Sequence, residues 1–299
     1  MIERVITKHE AAEFFPPLRS RVNKGEMGRV LIVCGSYDKC GLSMCGAAFF
    51  AAKAAYRCGA GIVEIFTPRE NYSVLASLVP EAVFSLYGYD EPCDTVAERV
   101  ALSVSKSDAV VLGCGLGKSE TSRAIVGSVL RSVGCPLVID ADGLNIISDD
   151  AGLWSFLSCE QRKRTVITPH PGEMARLTGK TIAEILENLS AAASEIALDK
   201  GIVCLLKDHN TAISDGKIVY INQSGNPGMA TAGMGDVLAG IVGALLAREK
   251  KGEFLLCAAV GAYLHGLAGD IAADKIGPYS LVASDLLAEI HSAIAEIFG

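Results

Sequence analysis

The sequence predicts an α/β protein, built as a single three-layer domain in which a mostly parallel central sheet is covered by helices on both faces. Two observations predict it. Short apolar runs recur along the chain, such as the one that follows Arg29 in Arg29-Val-Leu-Ile-Val-Cys34, and strands buried on both faces read this way. Longer helical segments separate the runs, and a parallel strand pair needs such a crossover. Size and composition agree: 299 residues, half of them apolar and 20% charged, suffice for a sizeable core. No linker, repeat or low-complexity tract interrupts the pattern, so one domain is expected over residues 1–299, with 1–28 a leader packed on its body.

The elements follow in order. Residues 29–34 form the first buried strand. Residues 44–58 are rich in alanine and other small residues, as in a helix lying close on a sheet. Residues 61–66, 81–86 and 108–113 are read as further strands, with helical stretches between them. Residues 136–140 and 164–168 add two more. A long helix is expected from about 181 to 200, then a strand at 202–207. Residues 211–214 and 217–221 flank Asp215-Gly216, a pair suited to a tight hairpin turn. Three helices close the chain.

Bulk properties exclude several functions. A net charge of −7 argues against a general nucleic-acid surface. The first ten residues lack the apolar centre of a signal peptide, and the longest apolar stretches are broken by charge or glycine, so no membrane span is expected. Ten cysteines include no Cys-x-x-Cys and no zinc spacing with histidine. They read as buried free thiols of a cytoplasmic protein.

In parallel sheets ligands bind beyond the carboxyl ends of the strands. Five segments fall there: 35–36, 113–117, 140–145, 168–173 and 207–211. The most informative stretch lies further on, at Asn226-Pro-Gly-Met-Ala-Thr-Ala-Gly-Met-Gly-Asp236, directly before an apolar helix. Gly225, Gly228, Gly233 and Gly235 let backbone approach a phosphate closely. The helix start supplies unpaired N–H groups and partial positive charge. Asp236 stands at that start, either as a cap or as a base for a substrate hydroxyl.

Other motifs keep two readings. Gly113-Cys-Gly-Leu-Gly-Lys-Ser119 is neither a Walker A loop, since Leu112 stands where its first glycine belongs, nor a dinucleotide fingerprint. It is a ligand-facing loop or a tight turn. Thr168-Pro-His-Pro-Gly-Glu173 sets His170 and Glu173 on a proline-stiffened ledge, as ligand contacts or as a structural histidine and a dipole partner. Asp140 and Asp142 suit water-linked magnesium or local capping. Lys207-Asp-His-Asn-Thr211 is a solvated connection or a cover for a nucleotide.

Together with Gly46-Ala-Ala, Gly59-Ala-Gly61 and His265-Gly-Leu-Ala-Gly-Asp270, these motifs match the pattern of a known family. From residue 24 to 290 it resembles the NAD(P)H-hydrate dehydratases, metabolite-repair enzymes of ribokinase-like fold. His170 separates it from the vitamin kinases of that fold, which tend to carry asparagine there. The resemblance implies ADP or ATP as co-substrate, Mg2+, and hydrated NADH or NADPH (NADHX, NADPHX) as substrate. It implies that Ala47, Gly115, His170 and Asp236 contact the hydrate. It further implies that Lys207, Asp208, His209, Asn210, Thr211 and Gly235 contact the nucleotide. Asp236 would be the catalytic base, Ala232, Gly233, Met234 and Gly235 an anion hole, and Glu173 a water-linked magnesium ligand. A homo-oligomer, with a tetramer as one form, and a separate epimerase partner are also implied. The competing readings are a kinase for a vitamin-like alcohol and a non-catalytic nucleotide-binding regulator.

Overall fold

The computed structural model describes residues 2–15, 20–38, 40–88 and 90–299. Residue 1 and residues 16–19 of the expected leader lie outside the described residues. Ten strands form one sheet: β1 (Ile2–Val5), β2 (Arg29–Val33), β3 (Ile62–Pro68), β4 (Val83–Tyr87), β5 (Ala109–Leu112), β6 (Leu137–Ile139), β7 (Thr165–Ile167), β8 (Val203–Leu206), β9 (Thr211–Ser214) and β10 (Ile218–Asn222). Their order is β1-β10-β9-β8-β7-β6-β5-β2-β3-β4. Among the described strands β9 alone runs against the rest, because the β9–β10 hairpin reverses the chain twice.

The α-helices are α1 (Lys8–Phe14), α2 (Cys45–Arg57), α3 (Tyr72–Leu78), α4 (Cys93–Val104), α5 (Glu120–Ser132), α6 (Asp142–Asp149), α7 (Cys159–Lys163), α8 (Pro171–Thr178), α9 (Ile182–Glu187), α10 (Leu189–Lys200), α11 (Met234–Arg248), α12 (Phe254–Ile276) and α13 (Ala283–Phe298). Side chains alternate across each strand, so β2 sends Val30, Ile32 and Cys34 to one core and Leu31 and Val33 to the other. The first core packs under α2, α11, α12 and α13, and the second under α4, α5, α6 and α10. The expected three-layer arrangement is present.

Small residues bring α11 unusually close to its neighbours. A Cβ on Gly240 would stand 2.1 Å from the Ala51 carbonyl oxygen of α2, and one on Gly243 would stand 2.4 Å from Val111 Cγ2 of β5. The alanines read from sequence at 44–58 are the other half of this contact: Ala48, Ala51, Ala52, Ala54 and Ala55 are all buried.

Four expectations need correction. The stretch 181–200 is two helices, because Asn188 takes an extended backbone (φ −155°, ψ 89°) and caps α10 through its side chain onto Ala191 N–H. The start of the leader is not merely packed on the body: β1 adds to the sheet edge, paired in parallel with β10. The cysteines are free, but Cys40 and Cys159 are exposed rather than buried. Finally, α12 is long and apolar enough by length and composition to cross a membrane, although more than half of that stretch is buried in the fold.

Candidate functional site

Strands β2, β5, β6, β7 and β8 end on the same side of the sheet, which brings the five expected segments to one edge. Beside them lies a cavity of about 830 Å³. Its lining includes Asp140, His170, Glu173, Lys207, Asp208, His209, Thr211 and the whole run from Ala230 to Asp236. Three expected residues do not line it. Asn210 is one. Ala47 and Gly115 are the others, and they face each other nearby, a Cβ on Gly115 falling 2.8 Å from Ala47 Cβ. Both are partly exposed, and Gly115 follows Cys114, whose thiol lies 3.7 Å from Asp140 Oδ2 of the cavity lining.

The start of α11 is open. Its N-cap residue is Gly233 at φ +91°, and among the described residues no side chain caps the helix. A side chain at 233 would also meet the Phe50 ring at 2.8 Å and Ala283 Cβ at 2.9 Å. Asp236 stands in the first turn but does not bond its backbone, so the capping reading is not what the structure shows. Burial, and then the charge of Asp140, push the Asp236 carboxyl up to about 6. A group at that value is ionised at neutral pH yet basic enough to take a proton.

Lys207, at the end of β8, crosses to β6, with its Nζ 2.8 Å from Asp140 Oδ1 and 4.0 Å from Glu173 Oε2. Burial opposes its charge, but the Asp140 and Glu173 carboxylates outweigh burial and raise its pKa. The ammonium lies beside Gly235, where a Cβ would stand 3.4 Å from Nζ, at ordinary contact distance. Next to Asp140, Ala141 has φ +49° and ψ −117°, the one positive φ among the described non-glycine residues. Strain of this kind clusters at functional sites. The tight fit is enforced by Gly113, whose Cβ would fall 2.2 Å from the Asp140 carbonyl oxygen.

His170 has a structural task. Its Nδ1 accepts from Gly172 N–H (3.0 Å) and Glu173 N–H (3.4 Å), while Glu173 Oε2 accepts from His170 N–H (2.9 Å). This reciprocal cap opens α8. With Nδ1 accepting, a neutral ring carries its proton on Nε2, and burial, then Lys207, keep the imidazole pKa low. About half of the side chain (51%) remains exposed, with the cavity in front of it. The two acidic residues at 140 and 142 divide. Asp142 serves local structure, accepting from Gly117 N–H (2.8 Å) and Asn145 Nδ2 (3.3 Å), whereas Asp140 faces the cavity.

As a test for magnesium, the Asp140 and Glu173 carboxylates are hard oxygen donors at the cavity wall and suit a water-linked ion. Cys114, which clusters with Asp140 and Asp236, does not suit it. A hydrogen bond with Cys34 and burial keep that sulfur a thiol.

Sequence reasoning gave no role to His265, although it quoted the segment. The ring is buried in α12, and its Nε2 lies 3.0 Å from the Met234 carbonyl oxygen in the first turn of α11. A lone histidine inside a long apolar helix, one residue before a glycine, was the available signal.

A family model described as NAD(P)H-hydrate dehydratase matches residues 30–292, almost the whole sheet and every segment described above. The chain belongs to that family. Among curated relatives it is 38% identical to the bifunctional NAD(P)H-hydrate repair enzyme of Moorella thermoacetica, over 95% of this chain and 52% of that protein. It is 37% identical to the ADP-dependent (S)-NAD(P)H-hydrate dehydratase of Neisseria meningitidis, over 89% of this chain and 83% of that one. It thus spans about half the length of the bifunctional relatives. A solved structure, the ADP/ATP-dependent NAD(P)H-hydrate dehydratase of Bacillus subtilis co-crystallised with ATP and Mg2+, superposes with TM-score 0.80 at 26% identity, covering 97% of each chain. The family fold is the ribokinase-like one expected.

Proposed function

We propose that the chain dehydrates hydrated NADH and NADPH at the expense of an adenine nucleotide, as a cytoplasmic metabolite-repair enzyme. The observation that carries this reading is the uncapped start of α11 with Asp236, held near pKa 6, beside it in a cavity shared with His170 and Lys207. The relatives' names supply the substrate class, since the Neisseria protein is named ADP-dependent and the Bacillus protein was crystallised with ATP and Mg2+.

The chemistry follows from these parts. Hydroxide leaves a ring carbon poorly, whereas phosphate leaves well. Asp236 takes the proton of the hydrate's hydroxyl as that oxygen attacks the terminal phosphoryl group of ADP or ATP. The N–H groups of Ala232, Gly233, Met234 and Gly235 stabilise the charge on the moving group. Lys207 and residues 208–211 hold the nucleotide, Gly235 giving its phosphates room. His170, Ala47 and Gly115 belong to the hydrate side. Magnesium, when bound, neutralises phosphate charge, and Glu173 and Asp140 would hold it through water. Loss of phosphate, pushed by the ring-nitrogen lone pair, and of a ring proton restores the conjugated dihydropyridine. A homo-oligomer and a separate epimerase belong to the same reading.

Incubation with NADH hydrate, magnesium and ADP or ATP tests it. Dihydronicotinamide absorbance should return in step with released inorganic phosphate and only with nucleotide present. Dehydration without nucleotide would remove the phosphorylation step, and a stable phosphorylated alcohol would favour a kinase.

A further inference from the structure

The segment His265-Gly-Leu-Ala-Gly-Asp270 has no part in the chemistry above, yet α12 presents it to the back of the 225–236 loop at both ends. At the start of the loop, Asp270 Oδ2 accepts from Gly225 N–H (2.8 Å) and Oδ1 accepts from Asn226 Nδ2 (2.9 Å). Asn226 Oδ1 in turn accepts from Gly228 N–H (3.0 Å). Two glycines between the anchors let helix and loop pack closely: a Cβ on Gly266 would fall 2.2 Å from Ser224 Oγ, and one on Gly269 would fall 2.4 Å from Met229 Sδ. At the end of the loop His265 Nε2 reaches the Met234 carbonyl.

That last bond has a particular consequence. The Met234 carbonyl and the Gly235 N–H are two ends of one planar peptide group. Met234 opens α11, so its carbonyl also takes the helical bond from Leu238 N–H. The His265 donor is a second bond on the same oxygen that holds the plane, and with it the direction of the N–H on the other side, in the first turn. It also draws electron density toward oxygen and makes that N–H a stronger donor, as hydrogen-bonded chains polarise one another. Met234 and Gly235 line the cavity, with the Lys207 ammonium beside Gly235. The ring suits the task because burial pushes its pKa down to about 4, so it stays neutral, with one nitrogen available as a donor throughout the physiological range.

We propose that His265 is a positioning residue for phosphoryl transfer, which orients and polarises the Met234–Gly235 peptide group so that the Gly235 N–H meets the terminal phosphate. This rests on the reading of the site as a phosphoryl-transfer site. Its test is chosen to separate the two. In the full chain, His265→Leu removes the donor, while His265→Gln places an amide N–H near the position of Nε2. Turnover of NADH hydrate is measured together with calorimetric affinities for ADP and AMP in magnesium, since only ADP carries the phosphate that meets Gly235.

With His265→Leu, turnover should fall about 10-fold, less than loss of an oxyanion-hole donor itself, because the effect is transmitted through one amide. The ADP-to-AMP affinity ratio should fall several-fold, with AMP affinity unchanged. His265→Gln should recover both to within about threefold, since it restores one hydrogen bond. Should the leucine variant fail to fold, His265→Asn, polar but too short to reach Met234, takes its place with the same expectations. If wild type shows no dehydration, the functional reading fails and the affinity ratio still decides the role of His265. A leucine variant with turnover and affinity ratio within twofold of wild type would overturn the proposal. So would leucine and glutamine variants that lose ADP and AMP affinity alike, which marks a purely structural histidine.

Discussion

Two helices begin in the same cavity, and they begin differently. At α8 the exposed N–H groups are consumed by the protein itself: Pro171 has none, and His170 Nδ1 takes those of Gly172 and Glu173. At α11 the N-cap is a glycine and no side chain steps in. Unpaired N–H groups at a helix start are satisfied by side chain, water or ligand. The first helix is closed by its own sequence, and the second keeps the open start that the proposed function assigns to a phosphate. The difference teaches that a helix start becomes a candidate site through the cap it lacks, and that the acidic residue in its first turn has to be read with that cap. Glu173 in α8 completes a reciprocal cap, whereas Asp236 in α11 completes no cap and instead lies against Cys114 and Asp140 at the cavity wall.

The strongest way to break this contrast is Asp236→Asn. A general base contributes about 10²–10⁴-fold to rate, so turnover should fall by roughly 100-fold or more while nucleotide affinity holds or improves. Stability should move the other way. The folded-state pKa of about 6 lies above the usual 3.8, so Asp236 favours the fold when protonated, and that contribution is lost as pH rises through about 6. The asparagine variant should match wild type near pH 4 and exceed it above pH 7, by at most about 3 kcal/mol. Melting curves across that range check the sign. A variant that is less stable at pH 8, with near-normal turnover, would return Asp236 to a local role.

The next effect is on the open end itself. Gly233→Ala forces a side chain into φ +91° and against Phe50 and Ala283, so a loss of about 2–4 kcal/mol in stability is expected. Nucleotide affinity should fall with it, because the helix start shifts. Chemical denaturation and calorimetry read both, and an unchanged variant would show that this start is not held as described.

The smallest effect sharpens the closed end. His170→Ala removes a cap and should cost about 1 kcal/mol. His170→Asn keeps a good N-cap and should melt like wild type. Both should weaken hydrate binding more than nucleotide binding. If the asparagine variant binds the hydrate normally, the imidazole serves α8 alone.

The contrast also marks where sequence reading reached and where it stopped. Strands β5, β6 and β8 were legible because each is an unbroken apolar run, β2 and β7 because a single Arg29 or Thr165 precedes one, and the β9–β10 hairpin was legible from Asp215-Gly216. The loop before α11 was legible because its glycines crowd into a few residues. What escaped depends on partners distant in sequence. The Lys207–Asp140 pair joins residues 67 apart. β1 is a short, exposed strand recognisable only beside β10. The break at Asn188 was masked by helix-favouring residues on both sides, and His170 showed its proline frame but not the ring's bond to its own helix. The contact of His265 with Met234 spans 31 residues and two helices, beyond what periodicity can show.

The missing side chains at Gly240 and Gly243 have a consequence for timing. With Ala51 and Val111 pressed against its backbone, α11 cannot slide or roll without collision, so its dipole is aimed once, when the chain folds. A solvent shell would have to reorient around each phosphoryl group as its charge develops. Under the proposed phosphoryl transfer, a helix wedged in this way would present its field already oriented, and the reorganisation that water would need at every turnover would be complete before the substrate arrives.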